Sequence, residues 1–307
     1  MTTFGIAIPQ TVGPSGFDGD AVRSLLHRAE ELGYDSAWTS EAVIGGSADL
    51  APLEVLAYAA ACTTRIRLGC AVIVSSVASP VHLAKSIASV DQLSHGRLEI
   101  GLGHGGGFRQ FGAFGVDKAS FVARFNEGLA LMRRLWTDER VDFDGRFWQL
   151  SGVTMAPKPV QAGGPPIWFG GSHPAALRRT VAHADGFIGA GSQPTSRFVE
   201  QMAVLRAALD EAGRDPATLR IAKRVYLTVD DDVARARERT SAALDAIYGQ
   251  YGLRNLLAVA VVGTPDDVAA GLREVIDAGA DLVVLNPMFD DAEQLERLTA
   301  DVLPQLA

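Results

Sequence analysis

The chain has 307 residues, of which 48% are hydrophobic and 21% are charged, and its formal net charge is −8. This is a globular composition, and an acidic chain without a block of Lys or Arg argues against a nucleic-acid surface. Two cysteines, Cys62 and Cys70, do not make a disulfide framework, and no apolar run is as long as a membrane span. The N-terminus lacks a signal-peptide pattern, so we expect a cytoplasmic protein.

Eight short apolar segments alternate with helical patterns, and they define the predicted fold. Strands that are apolar on both faces are typical of a parallel sheet, and eight such units favour a closed (β/α)8 TIM barrel over an open doubly wound sheet. We expect one domain over 1–307, with a small β excursion at 138–165. The predicted strands are 4–9, 36–39, 66–72, the apolar part of 96–108, 166–169, 185–188, 219–229 and 281–285.

The predicted helices fill the intervals between these strands. Apolar residues repeat at helical spacing in several of them, and Ser79-Pro80 and Thr264-Pro265 are typical of helix starts. The helices are expected at about 19–32, 53–61, 80–93, 121–136, 174–183, 195–212, 232–248, from 264 onward, and near 295–303. No Gly-x-Gly-x-x-Gly follows the first strand, which is a further argument against the open dinucleotide-binding sheet.

The segment 96–108 ends in glycines around one histidine, His104. Glycine lets the backbone approach a ligand closely, and the ends of barrel strands form the functional rim. His104 could contact a phosphate as a cation, act as a proton donor, or be solvated in a flexible surface loop. Gly105, Gly106, Gly107 and Phe108 continue the same loop.

A second glycine cluster, Gly170-Gly171-Ser172, lies between a strand and the helix that begins at Pro174. Free backbone N–H groups and a hydroxyl at a helix N-terminus are typical of a phosphate-binding turn. The alternative is an ordinary βα loop in which Ser172 caps the helix. Glu41 follows the second strand and is either an acid at the rim or a helix-cap partner.

Other chemistries find less support in the sequence. The six histidines show no paired spacing with carboxylates, so we expect no metal site. Lys223 could in principle form a Schiff base inside a barrel. Its neighbour Arg224 and the alternation of the strand favour an outward or rim salt bridge instead.

Several segments resemble the luciferase-like flavin and deazaflavin oxidoreductases, the bacterial luciferase-like superfamily. The resemblance covers almost the whole chain and is specific for the family, not for the substrate. Its most specific part runs through 65–69, 80–85 and 91–98, and further matches are 38–41, 114–115 and 165–171. It implies a barrel that binds a ring system at its C-terminal rim, with a non-proline cis peptide at Cys70–Ala71.

The same resemblance implies the site residues and the cofactor. The implied cofactor is coenzyme F420, a deazaflavin that exchanges a hydride with a small organic substrate; the alternative is FMN, used in reduced form by monooxygenases of the same fold. Catalytic candidates are His104 and Glu41, and the implied cofactor-binding residues are Cys70, Ala71, His104, Gly105, Gly170, Gly171 and Ser172.

Two positions depart from the sugar-phosphate dehydrogenases of the deazaflavin group. Ala42 stands where they have a catalytic histidine, and Gly106 stands where they have a glutamate, so we predict a different substrate. A non-catalytic flavin-binding protein remains a third hypothesis. The resemblance also implies a homodimer and a separate cofactor reductase, and we expect the loop after the fourth strand and residues 230–263 to cover the pocket.

Overall fold

Eight parallel strands close into a barrel in the computed structural model, which describes residues 2–105 and 110–306. The strands in chain order are β1 (Thr3–Ala7), β2 (Ser36–Thr39), β3 (Arg67–Val74), β4 (Leu98–Gly103), β5 (Val141–Asp144), β6 (Gln149–Val153), β7 (Ile167–Gly170), β8 (Gly186–Gly189), β9 (Arg220–Val229), β10 (Val261–Gly263) and β11 (Leu282–Pro287). The barrel runs β1-β2-β3-β4-β7-β8-β9-β11, and β11 pairs with β1 to close it. The predicted (β/α)8 barrel is confirmed.

Helices connect the successive barrel strands and cover the outside of the sheet. They are α1 (Gly19–Glu31), α2 (Pro52–Cys62), α3 (Pro80–Leu93), α4 (Phe121–Thr137), α5 (Pro174–His183), α6 (Thr195–Ala212), α7 (Val233–Tyr248), α8 (Pro265–Asp277) and α9 (Asp291–Arg297). Both predicted helix starts are confirmed: Ser79 accepts a backbone hydrogen bond in the first turn of α3, and Thr264 forms a capping box with Asp267 at α8. Among these helices none is long and apolar enough to cross a membrane.

Three segments differ from a plain barrel. The expected excursion is an antiparallel hairpin of β5 and β6. The short strand β10 pairs with the end of β9, and the sequence did not predict it because three residues show no periodicity. The last predicted helix is divided, since α9 ends at Arg297 and is followed by a π-helical turn, Leu298–Val302.

Two tryptophans fill the barrel interior. The indoles of Trp38 and Trp168 are fully buried and meet edge to face, with ring centroids 5.7 Å apart. A Cβ atom added at Gly69 would overlap the Trp38 ring, and one added at Gly186 would overlap the Trp168 ring. The glycines therefore supply the room that the two large rings occupy.

A polar cluster closes the interior below the tryptophans. The buried carboxylate of Glu99 accepts hydrogen bonds from Trp168 Nε1 at 2.7 Å and Arg220 Nη1 at 3.2 Å, and it also pairs with Arg67. These residues lie at the N-terminal ends of their strands. The open space of the barrel is consequently confined to the opposite, C-terminal end.

Candidate functional site

A cavity of about 950 Å³ opens at the C-terminal ends of the barrel strands. The C-terminal halves of β3 and β9, the ends of β4, β7 and β8, and the segments that follow β2, β4, β7 and β8 line it, together with the end of α7. This volume is at the upper end of the range for small-molecule and cofactor sites, and the C-terminal rim is where barrel enzymes place their chemistry. Three parts of its wall differ in polarity: the end of β3, the turn between β7 and α5, and the wall formed by β9 and α7.

The wall at the end of β3 is apolar. Ala71, Val72 and Val74 line the cavity, and the Ala71–Val72 peptide bond is cis. The predicted position, Cys70–Ala71, is therefore wrong by one residue. Val72 packs against β4, because a Cβ at Gly101 or Gly103 would come within 3 Å of its methyl groups.

Cys70 does not line this wall, contrary to the prediction. Successive side chains of a strand point to opposite faces, and Gly69 and Ala71 face the barrel interior, so Cys70 points outward into the core under the helices. The residue is completely buried, and burial raises the pKa of its thiol to about 12. Cys70 is inert packing, while Ala71 lies in the cavity as expected.

Glu41 lies at the rim beside the apolar wall. Its Oε2 atom accepts a hydrogen bond from the backbone N–H of Val74 at 2.7 Å, which connects the ends of β2 and β3. Burial raises the pKa of the Glu41 carboxyl group. The N-cap residue of the following helix α2 is Ala51, so Glu41 is an acid at the rim and does not cap that helix.

His104 lines the cavity directly after β4, as predicted. Its ring packs against Phe121 and Phe125, with centroids 5.3 Å and 6.0 Å away, and its Nδ1 atom is buried without a hydrogen-bond partner. Burial, and secondarily the charge of Arg179, lowers the pKa of the imidazole. The ring is therefore neutral near pH 7, and Nε2 is the nitrogen that remains available for a hydrogen bond to a ligand.

The loop beyond His104 is described only at its start. Gly105 lines the cavity and has a φ of +75°, which favours glycine. Gly106, Gly107 and Phe108, the rest of the predicted glycine-rich loop, lie outside the described residues.

The glycine turn after β7 lies in the cavity wall. Gly170, Gly171 and Ser172 line the cavity, and Gly171 has a φ of +150°. The N-cap of α5 is His173, whose Nδ1 accepts the N–H of Ala175 at 3.2 Å. Ser172 therefore does not cap the helix, and its hydroxyl makes no hydrogen bond within the described part of the chain.

Arg179, on the second turn of α5, adds a cation to this turn, which the sequence analysis did not predict. Its side chain is half-buried, lines the cavity, and has no ion pair or hydrogen bond to any described residue. Its position could be found from helical spacing, since Arg179 follows the cavity-lining Ala175 and Ala176 by four and three residues. The glycine turn and an uncommitted guanidinium thus lie at one end of the cavity.

The opposite wall comes from β9 and α7. Arg224 and Tyr226 point into the cavity, and the hydroxyl oxygens of Tyr226 and Tyr248 are 2.6 Å apart. From the expected cover, residues 230–263, Ile247 and Tyr248 at the end of α7 and Tyr251 in the turn after it line the cavity.

The predicted salt bridge of Lys223 is wrong. Lys223 points outward but is only 2% exposed, and its Nζ donates to the carbonyl oxygens of Ala190 at 2.5 Å and Gln193 at 2.9 Å. Neither the Lys223 nor the Arg224 side chain lies within 4 Å of a carboxylate of the described residues. The strand alternation was read correctly, but the loop after β8 covers Lys223 and supplies carbonyl groups in place of an acid.

Comparison with known proteins identifies the family. The sequence profile described as luciferase-like monooxygenase matches residues 2–282. The chain belongs to this family. A relative from Kineococcus radiotolerans, named F420-dependent glucose-6-phosphate dehydrogenase, is 28% identical to this luciferase-like protein, with 91% of the chain and 90% of the relative covered. The predicted resemblance is confirmed, and the protein is an enzyme of the oxidoreductase class.

Two solved structures share the fold of this luciferase-like protein. The monooxygenase RslO1 from Streptomyces bottropensis is 26% identical, has a TM-score of 0.83, and both chains are covered completely. An F420-dependent secondary alcohol dehydrogenase has a TM-score of 0.84 at 17% identity over 100% and 99% of the two chains, which shows the fold alone.

Proposed function

We propose that this luciferase-like enzyme binds coenzyme F420 and transfers a hydride between the deazaflavin ring and a small organic substrate. The observation on which this rests is the division of the cavity into an anion-binding end and an apolar wall. A flat ring with a phosphate-bearing tail needs these two surfaces next to each other. The relatives named as F420-dependent dehydrogenases support the choice of deazaflavin.

The residues at the anion-binding end fit the phosphate tail. The Ser172 hydroxyl and the Arg179 guanidinium would hold it, beside the Gly170–Gly171 turn. His104, neutral and with Nδ1 buried, would add a hydrogen bond from Nε2. Side chains at the two glycines would narrow the cradle, because a Cβ would lie 3.2 Å from Val72 at Gly170 and 3.1 Å from Ala176 at Gly171.

The apolar wall fits the ring. Ala71 and Val72 present small or branched aliphatic groups, against which a planar ring buries apolar surface without leaving a polar group unpaired. When bound, the deazaflavin supplies a carbon atom that donates or accepts the hydride. The cavity walls would hold the ring and the substrate next to each other.

Glu41 and His104 are the proposed proton-handling groups. Glu41 accepts the Val74 N–H through Oε2, which leaves Oε1 to exchange a proton, and burial raises the pKa of the carboxyl group. His104 can hold a proton on Nε2. Ala42 lines the cavity at the place of the dehydrogenase histidine, so we do not propose the sugar phosphate of the relatives as substrate.

Titration of the purified protein with F420 and with FMN tests the proposal. We expect F420 to bind at least tenfold more tightly than FMN, and Arg179→Gln to weaken its binding about tenfold. The matched control is Arg178→Gln, because Arg178 is exposed on the same helix and pairs with Glu211 at 3.6 Å, away from the cavity. Tight FMN binding without F420 binding would refute the proposal.

An FMN-dependent monooxygenase is the second candidate. It is favoured by the 26% identity and complete coverage shared with the monooxygenase RslO1. In that case the protein would bind reduced FMN and consume oxygen in the presence of substrate. If a cofactor binds tightly but no candidate substrate changes the rate of its reoxidation, both catalytic proposals fail and the protein only binds the cofactor.

A further inference from the structure

Two arginines of the barrel are buried to the same degree but are bonded very differently. Arg97 and Arg224 are each 8% exposed. At the closed end of the barrel, the guanidinium of Arg97 donates five hydrogen bonds, to the carbonyl oxygens of Ser94, Ile66, Ala60 and Thr63 and to the Thr63 hydroxyl. Every N–H edge of Arg97 is therefore occupied.

Arg224 lacks such partners. Its Nε atom is buried without a hydrogen bond, and its guanidinium donates once, from Nη2 to the Thr39 carbonyl oxygen at 3.5 Å. Within residues 2–105 and 110–306 no carboxylate lies within 4 Å of it. Burial of an unpaired cation is costly, so a partner from outside the chain is the natural complement.

The position of Arg224 shows where that partner would lie. On the same inward face of β9, Arg220 is bonded to Glu99 and Ala222 packs beside the tryptophans, whereas Arg224 is the first of these residues to reach the cavity. Its contact with Thr39 crosses the barrel mouth, because β11 and β1 separate β9 from β2 in the sheet. Arg224 therefore forms part of the cavity floor.

We propose that Arg224 is a second anion-binding position, which receives the carboxylate of a small, flat organic acid. That this acid is the substrate rests on the proposed function; the anion site itself does not. A guanidinium binds a carboxylate through two parallel hydrogen bonds, and the Tyr226 and Tyr248 hydroxyls at the same wall offer further polar contacts. Ile188 and Val72, also in the cavity lining, are suited to the apolar body of such a molecule.

The glycine turn after β7 lies apart from Arg224 and is not the binding position for this carboxylate. It belongs to β7 and α5, and β8 lies between β7 and β9 in the barrel. A ligand with a phosphate at the turn thus leaves Arg224 for another group. Lys223 cannot substitute, since its ammonium group is held by carbonyl oxygens on the outer side of β9.

Benzoate and its neutral analogue benzamide test the site by calorimetric titration, in a carboxylate-free buffer with saturating inorganic phosphate to fill the glycine turn. The wild-type protein should bind benzoate at least tenfold more tightly than benzamide. Arg224→Gln should abolish this preference, and Arg224→Lys should restore part of it. Arg179→Gln should weaken phosphate binding and leave the benzoate preference unchanged.

The opposite pattern would overturn the proposal. It is refuted if benzoate competes with phosphate, if Arg179→Gln and not Arg224→Gln removes the preference, or if benzoate and benzamide bind equally. Circular dichroism confirms that each variant is folded before titration. Failure of F420 to bind, with the benzoate preference intact, would refute the proposed function alone; loss of the preference, with F420 binding intact, would refute the anion site alone.

Discussion

Arg97 and Arg224 show how one residue type serves stability at one end of the barrel and binding at the other. Replacement of Arg97 by Met leaves four buried carbonyl oxygens and the Thr63 hydroxyl without their donors. We expect Arg97→Met to lower the free energy of unfolding by about 3–5 kcal/mol. Arg224→Met removes an unpaired buried cation and should change the stability by less than about 1 kcal/mol, or raise it.

Urea unfolding of the two variants and the wild type, without ligand, measures this difference. The two substitutions are chemically identical and the two sites are equally buried, so each variant is the control for the other. An equally large loss of stability in both variants would show that Arg224 has structural partners, and would contradict its proposed role in binding.

At the scale of an element, both faces of β9 help to form the cavity. Its inward side chains reach the cavity, while Lys223 on the outward face holds the loop after β8 by bonds to the carbonyl oxygens of Ala190 and Gln193. The same loop supplies Gly191 and Ser192 to the cavity wall. Burial lowers the pKa of the Lys223 ammonium group to about 7.

This lowered pKa predicts a dependence of stability on pH. Between pH 7 and the ordinary lysine pKa of about 10.4, the unfolded chain binds the proton and the folded chain releases it, so stability rises with pH. Cys70 and Tyr34, whose pKa values burial raises to about 12, act in the opposite sense as the pH rises through their ordinary pKa values of about 8.5 and about 10. The useful window is therefore pH 7 to 8.5.

Urea unfolding should show that the free energy of unfolding of the wild type is about 1–2 kcal/mol larger at pH 8.5 than at pH 7. Lys223→Met has no group to titrate there and should lose this gain, whatever its absolute stability. A wild-type stability that is flat or falls over this interval, or a variant with the same gain, would contradict the assignment.

The elements that could be predicted from sequence are those with a local signal. Strand periodicity and glycines at strand ends placed His104, Gly170 and Gly171 correctly, since these positions follow from where a strand stops. Arg179 was missed because the sequence does not show which face of α5 is turned toward the cavity. Lys223 was misread because nothing local shows that the loop after β8 covers the outer face of β9, and Arg224 was not identified as a cavity residue for the same reason.

The cis bond and Cys70 illustrate a second limit. The resemblance placed the cis bond at Cys70–Ala71, one residue before its position in the structure, and an error of one residue exchanges the inward and outward faces of a strand. The resemblance to a family therefore located the region, and only the alternation of Gly69 and Ala71 toward the tryptophans assigns Cys70 to the outer core.

At the scale of the whole molecule, the barrel is closed at one end and open at the other because of what fills its interior. Trp38 and Trp168 occupy the middle layer, and the Glu99 cluster lies beneath them. The indoles fit only where the neighbouring strands have no Cβ at the paired position, as at Gly69 and Gly186. This solid base supports the cavity floor that includes Arg224.

Two glycine-to-alanine substitutions test this view of the barrel. Gly186→Ala places a methyl group in the Trp168 ring and should lower the free energy of unfolding by about 1–3 kcal/mol. Gly128→Ala lies inside α4, where the added Cβ meets Pro80 at 3.5 Å and Trp148 at 3.6 Å, which are ordinary contacts. Because alanine favours a helix, Gly128→Ala should stabilise the protein by about 0.5–1 kcal/mol.

Urea unfolding followed by tryptophan fluorescence separates the two effects, and near-ultraviolet circular dichroism reports the packing of the indoles. We expect the dichroism to change in Gly186→Ala and to stay the same in Gly128→Ala. Benzoate and phosphate titrations of Gly186→Ala extend the test, because displacement of Trp168 should disturb the layer above it. Unchanged stability and an unchanged spectrum in Gly186→Ala would mean that the interior has spare room and does not fix the cavity floor.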